Sequence, residues 1–308
     1  MFYTYVPKKD LDVLAKFPYK VGIVTFMAFP DLLQSENKAE KLKPVIDDPF
    51  FDLLEIPSIN DQEWQSIQDY VHSTRGSMNF ALGLQPKVLG GVNPSSTNEE
   101  ERKKAEEILV NEVEKAGERG IIGVEVCSGP YTEEKEKAKE AFVKTISTMA
   151  TKASKYGISI FVETFDASWD KRRLLGPIDF SAKVIEEIRE THNNVYLLWD
   201  LGHAPMLNET PEVLRQYGDL IGHIHIGCTK EAGGKLYDRH PGFYRPGAIN
   251  TEKDVMELLT VLHDIKYKGA IGFEIKPEEG QHPLEVIHTT KSVLMRAFQM
   301  YLDSLFDF

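Results

Sequence analysis

Eight short apolar runs recur along the chain with helix-patterned stretches between them, and this alternation limits the folds open to it. The runs lie at 21–29, 51–56, 79–84, 120–127, 158–165, 195–200, 220–226 and 270–275. Each has the length of a strand, and near-continuous apolarity is what a strand buried on both faces requires. The stretches between them carry a helical period. Ala105, Ile108, Leu109, Val113 and Ala116 recur at three- and four-residue spacing amid Glu and Lys. Ala138, Ala141, Phe142, Ile146, Met149 and Ala150 repeat the pattern, as do Val255, Leu258, Leu259 and Leu262. Asn250 or Thr251 offers a cap to the last of these helices, and Gly157 and Gly269 stand where helices would end before the next run. Strand and helix alternating eight times in 308 residues predict an α/β fold, a single (β/α)8 TIM barrel, with residues 1–308 as one domain. No Pro/Gly/Ser-rich linker divides it, and no GxGxxG follows the first run, which argues against a doubly wound open sheet. Gly90-Gly91 reads as a turn. Residues 283–308 read as a last helix with an apolar tail, whose Leu302, Leu305, Phe306 and Phe308 could seal the barrel or meet a second subunit.

The last four runs lead into side chains that bind metals. Phe161-Val162 leads into Glu163, the run at 195–199 into Asp200 with His203 one turn on, the run at 221–224 into His225, and Ile271-Gly272-Phe273 into Glu274. Barrel enzymes build their sites from strand ends at the mouth, so these residues are expected to meet there. Three carboxylates and one imidazole make an oxygen-rich set. It suits Mn²⁺ first, then Mg²⁺, tolerates Co²⁺ and does not exclude Zn²⁺. A structural zinc would use Cys and His instead. His223 points the same way as His225 but deeper, and is read as structural.

Other residues give weaker signals. Glu55 ends the second run and could meet a substrate hydroxyl or a salt-bridge partner. Lys276 follows Glu274 by two residues and could bind a substrate oxygen. Lys171, Arg172 and Arg173 read as a solvated helix start, with contact to a phosphate or an acidic sugar as the alternative. The acidic loop 277–280 favours an unphosphorylated sugar or polyol, since barrel phosphate sites use the last two such loops. Cys127 and Cys228 read as core residues, and two cysteines give no disulfide framework, which suits a reducing cytoplasm. The first ten residues lack a signal-peptide pattern, and no run reaches the length of a membrane span. A net charge of −12 argues against a nucleic-acid partner.

The segments Phe161-Val162-Glu163, Asp200-Leu201-Gly202-His203, Gly222-His223-Ile224-His225-Ile226-Gly227 and Gly272-Phe273-Glu274 resemble the xylose-isomerase-like barrel superfamily. Its members include sugar isomerases and epimerases such as the D-tagatose/D-psicose 3-epimerases. The resemblance follows the whole barrel in order, with its specific motifs within 161–277. It implies one divalent metal on Glu163, Asp200, His225 and Glu274, with Glu163 and Glu274 also serving as catalytic acid and base. It implies that His203 binds a substrate oxygen. Proton removal beside a carbonyl leaves an enediolate, whose charge a divalent ion can neutralise. Glutamates on opposing strands could take the proton from one face and return it on the other, giving epimerisation; a single base serving two carbons would give aldose–ketose isomerisation.

The sequence also departs from the epimerases. Trp169 stands where they carry a Glu six residues beyond the first metal Glu. The loop 238–247 is longer than theirs, and Arg245 is the best counterpart of their substrate-binding Arg. The ketohexose substrate is therefore not carried over. His203, Asp238 and His240 resemble a metal triad of the endonuclease-four-type apurinic nucleases, which share this barrel, and mark a possible second metal site. Those nucleases need further histidines from early strands, where this chain has Gln85, Cys127 and Ser128. A metal-dependent phosphodiesterase or apurinic-endonuclease-like hydrolase is thus the alternative to a sugar isomerase or epimerase. A catalytically silent binding barrel is a third reading.

Overall fold

The computed structural model describes residues 2–8 and 11–306. The chain opens with an antiparallel hairpin of β1 (Tyr3–Lys8) and β2 (Leu11–Lys16). The barrel strands follow: β3 (Lys20–Val24), β4 (Leu53–Pro57), β5 (Asn79–Gly83), β6 (Gly123–Cys127), β7 (Ser159–Glu163), β8 (Val195–Asp200) and β9 (Ile221–Ile226). A second hairpin, β10 (Lys230–Ala232) with β11 (Lys235–Tyr237), precedes the last barrel strand, β12 (Ala270–Phe273). The eight barrel strands close in the order β12-β3-β4-β5-β6-β7-β8-β9, all parallel.

Each expected run overlaps one barrel strand, but several strands are shorter than expected. The first ends at Val24, because Thr25–Ala28 turns into a helical segment with Thr25 Oγ1 donating to the Glu55 carbonyl at 2.8 Å. The interstrand helices bury the expected apolar stripes. Glu99–Glu118 buries Ala105, Leu109, Val113 and Ala116 but leaves Ile108 exposed. Lys135–Ser154 buries Ala138, Ala141, Phe142, Ile146, Met149 and Ala150. Thr251, not Asn250, caps Glu252–Asp264 in a capping box with Asp254. Asn250 instead ties the Leu201 carbonyl to the Thr229 amide. The left-handed residue after that helix is Lys266 at φ 57°, not Gly269.

Two further expectations change. Lys171, Arg172 and Arg173 are not a helix start: the helix begins at Ile178, and the residues before it form a folded loop. The last helix runs without a break from Pro283 to Phe306, with Leu302 buried and Leu305 exposed. Phe308 lies outside the described residues. Gly90 and Gly91 form a turn, as expected, and Cys127 and Cys228 are buried free thiols. No helix among the described residues is long and apolar enough to cross a membrane.

The inside of the barrel has unusual contents for a hydrophobic core. Glu55 on β4, Glu125 on β6 and His223 on β9 are buried there. Glycines make the room. A Cβ at Gly272 would collide with Glu55 Oε1 and lie 2.9 Å from the His225 ring, and one at Gly22 would lie 2.6 Å from Glu55 Oε1. The β8–β9 register shifts between Leu197 and Leu198, and beyond that irregularity Asp200 stands opposite His225.

Candidate metal centre

Glu163 is the last residue of β7, Asp200 the last of β8, and Glu274 follows β12 directly. His225 is the next-to-last residue of β9. Parallel strands pointing one way bring all four to one mouth. Glu163, Asp200 and His225 are fully buried, and Glu274 is 8% exposed. Their donor atoms fall into two overlapping groups. Glu163, His225 and Glu274 each place one ligand atom within 4.8 Å of the others. Asp200 groups instead with His203, His240 and Glu274. Glu274 joins the two.

Hydrogen bonds fix the orientation of these ligands. Glu55 lies 2.6 Å from His225 Nε2, and Glu274 lies 2.9 Å from His225 Nδ1. With Nε2–H donating to Glu55, Nδ1 is the nitrogen aimed at the carboxylate group. His203 Nδ1 donates to the Thr164 carbonyl at 2.9 Å, so Nε2 faces Asp200 at 3.5 Å and Asp238 at 3.4 Å. Gln85 Nε2 donates to Glu163 Oε2 at 2.8 Å.

Asp238 of the expected second set lies beside His203 and His240, although the metal-capable group there is Asp200, His203, His240 and Glu274. The β10–β11 hairpin turns on Gly233 and Gly234, both at positive φ, and leads directly into Asp238. Asp238 Oδ1 stands 2.5 Å from His240 Nε2. His240 adopts φ 46°, a left-handed conformation uncommon for a side-chain-bearing residue, and Lys276 N–H holds its carbonyl at 2.7 Å.

Electrostatics divide the two glutamates. Burial pushes Glu163 up to about 8, with the Glu274 charge adding to the rise. Burial also raises Glu274, but His240 and His225 outweigh it and leave this carboxyl below its ordinary value. Burial opposes charge on the imidazoles, yet carboxylates win at three of them. Asp200 and Asp238 hold His203 well above the usual value, Glu55 and Glu274 do the same for His225, and Glu274 and Asp238 bring His240 to about 9. His223, by contrast, is lowered by burial. Glu125 is raised well above its ordinary value by burial and the Glu55 charge.

The donor set fits a divalent cation. Glu163 Oε1, Asp200 Oδ2, His203 Nε2 and His240 Nδ1 are all buried without a hydrogen-bond partner. Each such atom costs about 1–3 kcal/mol when left unsatisfied. Several in one place, carboxylate oxygen with imidazole, are what an ion would satisfy.

The remaining expected residues lie elsewhere. Glu55 is fully buried beneath the centre, against His225 and, at 3.2 Å, His223, so its partners are histidines rather than a substrate hydroxyl. Arg245 Nε donates to Glu278 at 3.0 Å, and Lys276 is exposed at the rim. Glu125 was not foreseen, because an acid in mid-strand carries no mark of its partners in the sequence.

A family model described as Xylose isomerase-like TIM barrel matches residues 51–292. Several solved structures share the fold. A D-tagatose 3-epimerase-like protein has 21% identity and a TM-score of 0.69, over 93% of this chain and 99% of that one. The IOLI protein with a bound zinc atom has 17% identity and a TM-score of 0.68, over 92% and 99%. An AP endonuclease, family 2, from Brucella melitensis has 15% identity and a TM-score of 0.67, over 89% and 98%. No curated protein sequence matches.

Proposed function

The chain belongs to the xylose isomerase-like TIM-barrel family, and from that premise we propose that it is a metal-dependent sugar isomerase or epimerase. One observation carries the reading: Glu163 and Glu274 come from non-adjacent strands and, with His225, converge on one buried group. Glu163, Asp200, His225 and Glu274 would hold a divalent ion, and the oxygen-rich donors favour Mn²⁺. Such an ion supplies positive charge against the negative charge that develops on an enediolate.

The chain's own residues do the rest. Glu163 and Glu274, on non-adjacent strands, are the two groups placed to take a proton from carbon and to return one from another side. His203 Nε2, unpartnered and buried, is placed to bind a substrate oxygen. Glu55 and Gln85 orient His225 and Glu163 by the hydrogen bonds described above. Lys276 lies at the rim, where an oxygen of a small sugar or polyol could meet it.

The test is deuterium uptake from deuterated water with Mn²⁺, across a panel of ketoses, aldoses and polyols. Uptake at one sugar carbon is expected, falling at least about 100-fold in Glu163→Gln and Glu274→Gln. Absence of uptake from every sugar would reject the reading.

The assembled His203, Asp238 and His240 set supports a second reading, a two-metal phosphodiesterase or apurinic-endonuclease-like hydrolase. Cleavage of abasic DNA by the pure protein, lost in His240→Ala, would replace the first reading with this one.

A further inference from the structure

One charged side chain beside the centre is buried without a counter-charge. Arg173 is 9% exposed, and its Nε is buried with no hydrogen-bond partner. Among the described residues its guanidinium has no carboxylate within ion-pairing distance and donates no hydrogen bond. Arg102 shows the contrast: it is 5% exposed and bound by both Glu99 and Glu106. A guanidinium mostly withdrawn from water, with its Nε buried and no carboxylate beside it, lowers stability, so an anion that completes it binds with advantage.

The backbone fixes Arg173 firmly. Asp166 is fully buried, and its carboxylate accepts the amides of Ser168, Trp169, Asp170 and Lys171. The Arg173 amide donates to the Asp166 carbonyl at 2.8 Å. Arg173 also forms a bridge with Pro130, while Leu174 and Leu175 donate to Gly129 and Ser128. These bonds staple the loop after β7 to the loop after β6, on the side of the barrel where Glu163 emerges. Cys127 stands opposite Glu163 in the β6–β7 register. Burial pushes its thiol up, Arg173 pulls it back, and Glu163 and Asp238 add to the rise.

Three other cations at this mouth are already engaged. Lys171 stands 3.5 Å from Asp170 and 3.7 Å from Asp238, and Lys230 and Arg245 are both bound by Glu278. The acidic loop that disfavours a charged substrate follows β12, three strands from β7 in the barrel order, and its Glu278 is already bound by Lys230 and Arg245.

We propose that Arg173 binds an anionic substituent, a carboxylate or a phosphate, on the sugar that this centre acts on. The planar fork of a guanidinium matches either group with two parallel hydrogen bonds. The proposal rests on the sugar-enzyme reading and narrows its substrate class.

Binding of D-glucose, D-glucuronate and D-glucose 6-phosphate to the full chain, with and without Mn²⁺, separates the possibilities. These probes share one sugar frame and differ in the substituent at its end. At least one anionic probe is expected to bind wild type more tightly than glucose does. Arg173→Met should weaken that probe by roughly 10- to 100-fold without changing glucose binding, and Arg173→Lys should weaken it less. Which anion binds more tightly identifies the substituent. The melting temperature of Arg173→Met should equal or exceed that of wild type; should that variant not fold, Arg173→Lys and Arg173→Gln give the same comparison. Anionic probes that bind no better than glucose, or equally well to wild type and the Arg173 variants, would overturn the proposal. Deuterium uptake distinguishes the two failures. Uptake from neutral sugars with indifference to Arg173 leaves the sugar-enzyme reading standing, whereas Arg173-dependent anion binding without any uptake leaves the anion site and removes the sugar chemistry.

Discussion

At the residue scale, the orientation of His225 depends on the carboxylates on either side of its ring. His225 is gripped from both ends, by Glu55 at 2.6 Å and by Glu274 at 2.9 Å. A carboxylate on the far nitrogen of a metal-ligating histidine fixes its tautomer and raises its basicity. Glu55→Gln keeps an acceptor but removes the charge, and should weaken metal binding by about 10- to 100-fold in competition against a chelator. Unchanged affinity would make Glu55 a core residue only. The strand-end residues Glu163, Asp200, His225 and Glu274 were legible in the sequence because each apolar run leads into a titratable side chain. Glu55 was visible as a run end, but its partners His223 and His225 lie far along the chain, and only closure of the barrel brings them together.

At the element scale, glycine in β3 and β12 is what admits a buried carboxylate. The β4 side chain Glu55 occupies the space that a Cβ at Gly22 or Gly272 would fill. Gly272→Ala should therefore cost about 1–3 kcal/mol of stability by overpacking, read from urea unfolding, and should also weaken metal binding by displacing His225. The β10–β11 hairpin acts similarly on the second set, since its glycine turn leads directly into Asp238. This hairpin was not legible in the sequence, because three-residue strands carry too little pattern to separate from a loop. The interstrand helices were easier, because an apolar stripe repeated over three or more turns fits a helix and no strand period.

At the scale of the whole molecule, a metal bound at the proposed centre would compete with protons for one buried charge cluster. Without metal, Glu163 is raised to about 8 and His240 to about 9. Both groups bind protons more tightly in the folded state than in the unfolded chain. Their contribution to stability is present at low pH and is lost as pH rises through the folded values. The melting temperature of the metal-stripped protein should therefore fall between about pH 6.5 and pH 9. The lowered carboxyls Glu274 and Asp238 act in the opposite sense, but at acidic pH. Metal must displace these protons, so its apparent affinity should rise over the same window, with proton release that calorimetry in buffers of different ionisation enthalpy detects. A melting temperature that stays flat across the window in the stripped protein would show that the cluster does not hold those protons.

The sequence by itself determined the alternation of strand and helix, the closed parallel sheet, and the acidic and histidine side chains at the ends of its last four strands. Those features are local: period, run length and the residue where a run stops are all written within a few neighbouring positions. It also contained Lys171, Arg172 and Arg173, but as a charge run that suited a solvated helix start. Only the tertiary structure decided that Arg173 is buried without a carboxylate, that Glu55 supports His225, and that Asp200 joins His203 and His240. Partnership and burial depend on which distant strands become neighbours, and closing the barrel settles that for all of them together.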